Sequence, residues 1–460
     1  MKKFLFAFLF TAICTLTACG EVVGTDSESD LKVDTTKASV SDKTDDSAET
    51  TATSKSTNST EKSEKTTTQI STATSATTKK TTTTAVKIED KIIPKEVYFN
   101  SVESFEVYDE MSISQLIPDT NVKLLEPDKK IKSDELGKFE TEVKFEFEGE
   151  EYLKKISYNV VDTTQPVLLN SGWNPYVKLN EPFNLGSLVG YVDNYDRSLE
   201  LTYTGEVDTS NIGRYDITAT VTDDSGNSTS WDMSVYVLME IPAPEDNNPR
   251  VNFTDFVDYY CYEDVSYGID VSAWQTNVDY EKVKAQGCEF VIMRMGYYYG
   301  EIKMDDYYKQ NMENATKAGL DVGVYFYTTA NTEDEAREQA RWIVEQLDGR
   351  ELDYPVAFDW EEWGQFQQYG MNVHDLNEIF ESFCDELEKN GYTGMLYSSK
   401  NFLKNFWTNK KNRPVWLAHY VDETDYDGQF AIWQASAYGR MDGIEGDVDM
   451  NIRFNYIPLW

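Results

Sequence analysis

Histidine is nearly absent from this chain, whose 460 residues include only His374 and His419. Two histidines cannot form the three-histidine zinc site found in many metal-dependent enzymes. The sequence also contains no HExxH motif, no CxxC pair and no GxxxxGKS or GxxxxGKT loop, the short motifs that indicate metal or nucleotide binding. We therefore expect no metal ion and no cofactor, and we expect any catalysis to rely on carboxylates.

Basic residues are scarce as well. The chain has 42 Lys and Arg against 81 Asp and Glu, a formal net charge of −39. A surface of this charge repels the phosphate backbone of nucleic acids, so a nucleic-acid partner is excluded. Aromatic residues are abundant, at 13% of the chain, and aromatic rings are the side chains that stack on sugars.

Cysteine is also rare, with five residues in the chain. Cys14 and Cys19 lie in the N-terminal segment, which leaves Cys261, Cys288 and Cys384. Three thiols allow at most one disulfide, and their spacing pairs none of them. Buried, apolar cysteines are the interpretation that we favour.

The N-terminus has the features of a bacterial lipoprotein signal. Lys2 and Lys3 precede an apolar run over residues 4–13, which is too short to cross a bilayer. Residues 16–20, Leu-Thr-Ala-Cys-Gly, resemble a lipobox, which implies lipid on Cys19 and attachment to the outer face of the cytoplasmic membrane. An ordinary secreted protein with a cysteine near the cleavage point is the alternative.

A low-complexity segment follows. Residues 20–85 contain no aromatic side chain, and more than half of residues 35–84 are Ser or Thr. Such a segment cannot bury enough apolar surface to offset its chain entropy. We expect a disordered tether that reaches roughly 40 to 50 Å from the membrane.

Two all-β modules are predicted next. Apolar residues alternate with charged ones around 139–147, the period of a half-buried strand. Residues 136–139 recur as residues 212–215, which indicates two tandem β-sandwich modules. Residues 215–237 resemble the closing hairpin of bacterial immunoglobulin-like surface modules, with its turn at 224–227. These modules could bind a ligand or act as a rigid spacer.

The last region alternates strands with helices. Three helices are predicted over 305–318, 332–347 and 373–390. Eight candidate strands cover 267–272, 290–296, 321–328, 354–361, 392–398, 414–420, 430–435 and 446–454. This order predicts an α/β barrel of the (β/α)8 type, with an incomplete ring of helices because the later gaps are short.

Four carboxylates interrupt these apolar strands near their ends: Asp270, Asp359, Glu361 and Asp449. Asp359 and Glu361 are two residues apart, so a strand places both side chains on one face. If the first and last strands close the barrel, Asp270 and Asp449 become neighbours at the same mouth. The alternative is four unrelated capping or turn residues.

This region is similar to the family 25 glycoside hydrolases, the lysozyme or muramidase group that cuts peptidoglycan. The similar motifs lie at residues 268–275, 318–325, 359–361, 391–398, 416–420, 433–434 and 448–451. The resemblance implies that Glu361 is the general acid, that Asp359 assists at the sugar, and that Asp270 and Asp449 hold the site. Phe326 departs from the family, which commonly has His there, and this departure leaves a chitin-like substrate open.

Glycosidic cleavage needs an acid for the leaving oxygen and a carboxylate that stabilises the cationic sugar. Crowded carboxylates raise one another's pKa, so one of them can remain protonated near neutral pH. We assign the acid role to Glu361. Asp359 is either a direct nucleophile or the group that orients a substrate N-acetyl for attack. Candidate sugar-binding residues are Tyr325, Tyr327, Tyr397, Trp416, Tyr420, Trp433 and Gln434.

The sequence thus predicts a surface-anchored, monomeric hydrolase of peptidoglycan glycan strands. An inactive glycan-binding lipoprotein and a hydrolase of another N-acetylhexosamine polymer are the alternatives. The predicted organisation is a signal peptide at 1–18, a lipidated cysteine and linker at 19–87, β modules at 88–163 and 164–241, a linker at 242–264 and the barrel at 265–460.

Overall fold

The computed structural model describes residues 91–169, 175–243 and 246–460. The predicted signal peptide, the lipidation site Cys19 and the Ser/Thr-rich linker lie outside these residues. No helix in the described part of the chain combines the length and the apolar character needed to cross a bilayer.

The first module contains two small sheets. Its strands β1 and β3 pair, while β2, β6, β5 and β4 form a four-stranded sheet in that order. The long β5–β6 hairpin alternates outward charged residues with buried Val143, Phe145, Ile156 and Tyr158. The elements are β1 (Phe99–Asn100), β2 (Ser104–Glu106), α1 (Ile113–Leu116), β3 (Asp119–Thr120), β4 (Lys123–Leu124), β5 (Gly137–Phe147) and β6 (Glu150–Val161).

The second module repeats this topology strand for strand. Its first and third strands pair, and the other four form a sheet in the order β10, β11, β12, β8. The repeated sequence motifs begin the equivalent strands β5 and β11, so the sequence repeat corresponds to a structural one. The elements are β7 (Val167–Leu169), β8 (Tyr176–Lys178), β9 (Gly190–Val192), β10 (Glu200–Thr204), β11 (Gly213–Thr222) and β12 (Ser228–Leu238).

The predicted linker over 242–264 is wrong in its second half. Residues from Val251 onward fold onto the barrel, where strand β13 pairs with β21 and helix α2 buries Phe253 and Phe256. These aromatic residues explain the difference, because an open linker would leave them in water. The elements are β13 (Val251–Asn252), α2 (Phe253–Tyr259) and β21 (Ile432–Arg440).

The remaining elements include seven strands that join β21 in a closed sheet of eight, one short strand (Ile302–Met304) that pairs only with the end of its neighbour, and the helices outside the sheet. They are β14 (Val265–Val271), α3 (Tyr280–Ala285), β15 (Phe290–Tyr298), β16 (Ile302–Met304), α4 (Tyr308–Ala318), β17 (Asp321–Thr328), α5 (Glu333–Leu347), β18 (Val356–Trp360), α6 (Phe366–Tyr369), α7 (Val373–Glu388), β19 (Gly394–Ser399), α8 (Lys400–Asn405), β20 (Val415–Ala418) and β22 (Val448–Phe454).

All eight predicted barrel strands are present within a few residues of their expected bounds, but they are not all parallel, as the strands of a (β/α)8 barrel are. Strand β22 runs antiparallel to both of its neighbours, β21 and β14, and closes the barrel between them. Residues 441–447 are too few for a parallel crossover, which needs about a dozen residues, so the chain can only turn back.

Strand alternation separates the barrel interior from its outer core. Phe290, Ile292, Ala357 and Trp416 belong to the interior cluster. Their sequence neighbours point outward and pack under the helices, where α7 buries the predicted apolar face of Leu376, Ile379, Phe380, Phe383 and Leu387. Only side chains that point into the barrel, as these four do, can therefore contribute to a site inside it.

One helix start differs from its prediction. Helix α4 begins at Tyr308 rather than at 305, because Asp305 is buried in an ion pair with Arg294. At α5, the Thr332 side chain accepts a hydrogen bond from the Glu335 N–H, as a capping residue does. The Glu335 side chain does not return the bond to Thr332 and accepts from Asn331 N–H and Tyr298 OH instead.

Candidate active site

The four predicted carboxylates lie at one end of the barrel. Asp270 and Asp449 stand opposite each other in the antiparallel β14–β22 pair, as expected for strands that close a barrel. Asp359 lies two residues after the interior residue Ala357 on β18, so its side chain also points into the barrel. Glu361 lies two residues further on, just beyond the end of β18. Asp270 and Asp359 are only 5% and 6% exposed, whereas Glu361 and Asp449 are partly exposed.

Two amide side chains hold Asp270. Its Oδ2 accepts hydrogen bonds from Gln434 Nε2 at 2.9 Å and from Asn451 Nδ2 at 2.7 Å. Burial nevertheless raises the pKa of Asp270 to about 6, and these two hydrogen bonds oppose the shift. Asp270 is thus a buried carboxyl that titrates near neutral pH.

Aromatic side chains fix the two amides. Tyr397 OH and Tyr420 OH donate to Gln434 Oε1 at 2.9 and 2.7 Å, and Trp416 Nε1 donates to Asn451 Oδ1 at 2.8 Å. Because each amide oxygen is already used, each amide nitrogen must face Asp270. Tyr397 and Trp416, which are 9% and 2% exposed, therefore support the carboxylate network instead of offering an open stacking surface.

Asp359 has a buried oxygen without a partner. Its Oδ1 makes no hydrogen bond within the described part of the chain. Burial, together with the nearby Asp270, raises the pKa of Asp359 to about 8, and Arg294 opposes the shift. An unpartnered buried oxygen is costly unless something else fills its hydrogen-bonding capacity. Asp359 therefore offers an acceptor to a polar hydrogen of a bound molecule.

Sequence reasoning missed the role of Arg294. Its guanidinium is held by Asp305 Oδ2, which accepts from both Nε and Nη2 at 2.8 Å. Asp305 is 2% exposed and also accepts from the backbone N–H groups of Ala273 and Tyr307. The sequence could have indicated this role, because Arg294 is a charged residue within the otherwise apolar strand β15.

Burial and like charge raise the pKa of Glu361 well above its ordinary value, with contributions from Asp359, Glu362, Asp449 and Asp270. The pKa of Asp449 is raised for the same two reasons, burial first and Asp270 second. Carboxyls crowded in this way cannot all ionise at neutral pH. At least one proton stays in the cluster, and Glu361 lies where a ligand can reach it.

Trp433 is not at the mouth, and its prediction as a sugar-binding residue is wrong. It lies on the outer face, is 1% exposed, and packs edge-on against Tyr260 with ring centroids 5.3 Å apart. Alternation explains this, because its neighbour Gln434 points inward. Phe326 is likewise fully buried in the outer core against Trp342, so its departure from the family pattern has no contact with the site.

The open aromatic surface involves other residues. Tyr327, a predicted sugar-binding residue, donates its OH to Glu362 Oε1 at 2.9 Å and packs against Tyr299, with ring centroids 5.5 Å apart. Tyr299 is 61% exposed and Trp274, four residues after Asp270, is 78% exposed. Large aromatic residues beside a polar cleft are typical of sugar-binding surfaces. Tyr325 lies deeper, against Trp416.

Other polar residues near the ends of these strands have structural roles. Ser272 accepts a hydrogen bond from Trp274 N–H and caps the short turn over 273–275. Asp447 is paired with Arg250 and Arg440. The three cysteines of the described part, Cys261, Cys288 and Cys384, are free thiols, and the last two are buried.

Two family models match the chain. Residues 269–444 match Glycosyl hydrolases family 25, and residues 169–237 match Bacterial surface protein, Ig-like domain. The first match contains three of the four carboxylates described above, and the fourth, Asp449, lies five residues beyond its end. The second contains the β11–β12 hairpin that the sequence indicated.

The chain is also similar in part to individual proteins. The uncharacterized protein YegX of Escherichia coli is 28% identical over 221 residues, which cover 44% of this chain and 79% of YegX. The autolytic lysozyme of Clostridium acetobutylicum is 30% identical over 186 residues, which cover 40% of this chain and 54% of that protein. A solved family 25 glycosyl hydrolase from Bacillus anthracis aligns over 46% of this chain and 95% of its own, at 18% identity and a TM-score of 0.38.

Proposed function

We propose that this chain, which carries a glycosyl hydrolase family 25 domain, is a muramidase that cleaves the β-1,4 bond between N-acetylmuramic acid and N-acetylglucosamine in peptidoglycan. The observation that carries the proposal is the group of four carboxyls, Asp270, Asp359, Glu361 and Asp449, at one mouth of the barrel. The relatives named autolytic lysozyme and lysozyme M1 support the same reaction.

Glu361 is the general acid of this proposal. Its raised pKa keeps the carboxyl protonated near neutral pH, and its partial exposure allows a glycosidic oxygen to approach. Proton transfer to that oxygen lets the bond break while positive charge develops on the sugar. The remaining carboxyls stabilise this charge once they are ionised.

Asp359 supports a reaction assisted by the substrate. Its unpartnered Oδ1 can accept the N–H of an N-acetyl group, which orients the acetamide oxygen toward the anomeric carbon. If Asp359 were instead a direct nucleophile, a slow fluorinated substrate would leave a glycosyl adduct on Asp359 that peptide mass spectrometry would detect. The assisted route predicts no adduct and inhibition by a thiazoline analogue.

The substrate follows from the same site. Both sugars of the proposed bond carry N-acetyl groups, and the exposed Tyr299, which lies near Glu361 and Glu362, gives a stacking surface. The exposed Trp274 follows Asp270 by four residues and is a second candidate. Phe326 was the reason for keeping chitin-like polymers as an alternative substrate. Its side chain is buried in the outer core, so it no longer supports that alternative. We therefore retain peptidoglycan as the substrate.

The cellular position is part of the proposal. Lipid on Cys19 would anchor the chain to the outer face of the cytoplasmic membrane, and the linker to residue 87 would tether the folded part near the wall. The family match described as a bacterial surface protein supports an extracellular or surface location.

Product analysis tests the function. Purified peptidoglycan is digested with the purified chain, and the new reducing ends are reduced with borohydride and identified by mass spectrometry. We expect reduced N-acetylmuramic acid. Reduced N-acetylglucosamine would indicate the other glycosidic bond, and binding without any new reducing end would indicate the inactive glycan-binding alternative. Cleavage of chitin oligosaccharides at an equal rate would contradict the substrate assignment.

A further inference from the structure

Four aspartates converge outside the barrel, where the two β modules meet. Asp162 lies just after β6, Asp193 and Asp196 lie just after β9, and Asp223 begins the turn between β11 and β12. One carboxylate oxygen from each lies within 4.8 Å of those of the other three. Three of the four are buried, with exposures of 7% for Asp162, 1% for Asp193 and 6% for Asp223.

No basic side chain neutralises this group. None of the ion pairs formed within 91–169, 175–243 and 246–460 includes any of the four aspartates. Their partners are neutral donors: Asp193 accepts from the N–H groups of Tyr195 and Asp196, and Asp223 accepts from Asn227. Hydrogen bonds from neutral donors orient the carboxylates but do not neutralise their combined negative charge.

Asp162 adds a second, independent observation. Its Oδ2 is buried and has no hydrogen-bond partner among the described residues. The neighbouring Glu106 carboxylate is an acceptor and not a donor: its two oxygens accept from the N–H and OH groups of Thr163 and Thr164, and its closeness adds to the raised pKa of Asp162. A buried carboxylate oxygen without a partner is unfavourable unless a bound cation, a donor or a proton takes that place.

Like charges are unfavourable when four carboxylates lie this close together. Burial and the nearby Asp193 raise the pKa of Asp162 to about 7. Burial also raises the pKa of Asp193 and Asp196, and neighbouring aspartates add to each shift. Four carboxyls that oppose one another's ionisation are the arrangement that a bound cation would stabilise.

We propose that Asp162, Asp193, Asp196 and Asp223 form a calcium site at the junction of the two modules. The donors are oxygens alone, which selects a hard cation over zinc or copper. Their source in three separate loops suits Ca²⁺, which accepts irregular geometry, better than Mg²⁺, which demands a near-ideal octahedron. This proposal replaces the expectation of no metal that the sequence suggested.

The site also connects the modules to the barrel. The loop that carries Asp193 and Asp196 contacts the start of helix α7: Val373 N–H donates to Asp193 O at 2.9 Å, and Arg197 forms a bidentate ion pair with Asp375 at 2.6 and 2.7 Å. From the first module, Tyr108 stacks on His374 with ring centroids 3.6 Å apart. A cation at the four aspartates would therefore stiffen a junction of three domains.

Calorimetry on the purified chain tests the site. After removal of metal with a chelator, the chain is titrated with CaCl₂ by isothermal titration calorimetry, and its thermal unfolding is followed from 0 to 10 mM CaCl₂. Extracellular calcium modules bind with dissociation constants of about 10⁻⁴ to 10⁻³ M. We expect one site in that range or tighter, and an unfolding temperature that rises by a few degrees with calcium.

Matched variants separate this site from general effects of salt. Asp193→Asn should weaken calcium binding at least tenfold and should raise the calcium-free unfolding temperature, because one repelling charge is removed. The control, Asp232→Asn, changes an exposed aspartate on β12 and should keep the full calcium response. Absence of binding at 10 mM, an equal response in Asp193→Asn, or an equal response to MgCl₂ would overturn the calcium assignment.

Discussion

Replacing Gln434 with Met should make barrel stability depend on pH in a defined way. The Gln434 amide donates to the buried Asp270 carboxylate at 2.9 Å, and Met has a similar volume without a donor. A hydrogen bond to a charged group contributes about 1.5 to 3 kcal/mol. At 1.36 kcal/mol per pKa unit, its loss should raise the pKa of Asp270 from about 6 by roughly one to two units.

The sign of the effect follows from linkage. A carboxyl whose pKa is higher in the folded state than in the unfolded state destabilises the fold once the pH allows it to ionise. At pH 5 Asp270 is largely protonated with or without Gln434, so the missing donor should lower the free energy of unfolding of the variant only slightly relative to wild type. This deficit should grow through pH 6 to 8 and level off at about 1.5 to 3 kcal/mol.

The variant also leaves two tyrosine hydroxyls without their acceptor, which adds a cost that does not depend on pH. Tyr420→Phe is the matched control, since it removes one hydroxyl and keeps the amide donor to Asp270. Urea unfolding followed by tryptophan fluorescence at pH 5, 6, 7 and 8 measures the difference. A deficit of Gln434→Met that stays constant over this range would refute the link between Gln434 and the ionisation of Asp270.

Three further predictions concern function. Asp359→Asn should lower the rate of peptidoglycan cleavage at least about 100-fold, whereas Asp447→Asn should lower mainly stability, since it weakens pairing with two arginines; equal losses of rate would contradict the assignment. Tyr299→Ala should raise KM with little change in kcat, and an unchanged KM would remove it from the sugar-binding surface. Cys19→Ala should release the protein from membranes, and continued sedimentation with membranes would exclude the lipid anchor.

Strand alternation made much of the candidate site predictable. The two-residue spacing predicts Asp359 and Glu361 on one face, and Glu361 lies near Asp359 although β18 ends at Trp360. The pairing of the first and last strands places Asp270 beside Asp449. The same rule would have excluded Trp433, because Gln434 points inward. Trp433 was proposed to stack on sugars only because it is a tryptophan, and residue type alone does not show in which direction a side chain points.

Other features depend on distant contacts that spacing does not encode. The direction of β22 follows from the short connection before it, and the folding of 251–259 onto the barrel follows from aromatic residues that have no periodic pattern. The Arg294–Asp305 pair joins residues from a strand and a loop. The four module aspartates come from three loops, so only the repeated sandwich topology brings them together.

The crowding of the four carboxyls also predicts how the cleavage rate depends on pH. Protonated Glu361 is required as the acid, so the rate should fall as the pH rises through its elevated pKa. The carboxyls that stabilise the cationic sugar must be ionised, so the rate should also fall in acid. A bell-shaped profile of kcat/KM would report the coupled values of the cluster.

The most direct test of the account is the cleavage rate of Glu361→Gln on peptidoglycan, measured beside wild type with matched thermal unfolding. Gln keeps the volume of Glu and cannot donate the proton, and general acid catalysis contributes about 10² to 10⁴ in rate. We predict a loss within that range, an unfolding temperature no lower than wild type, and loss of the basic limb of the pH profile. A variant that folds normally and keeps more than about a tenth of the wild-type rate would contradict the assignment of Glu361 as the acid.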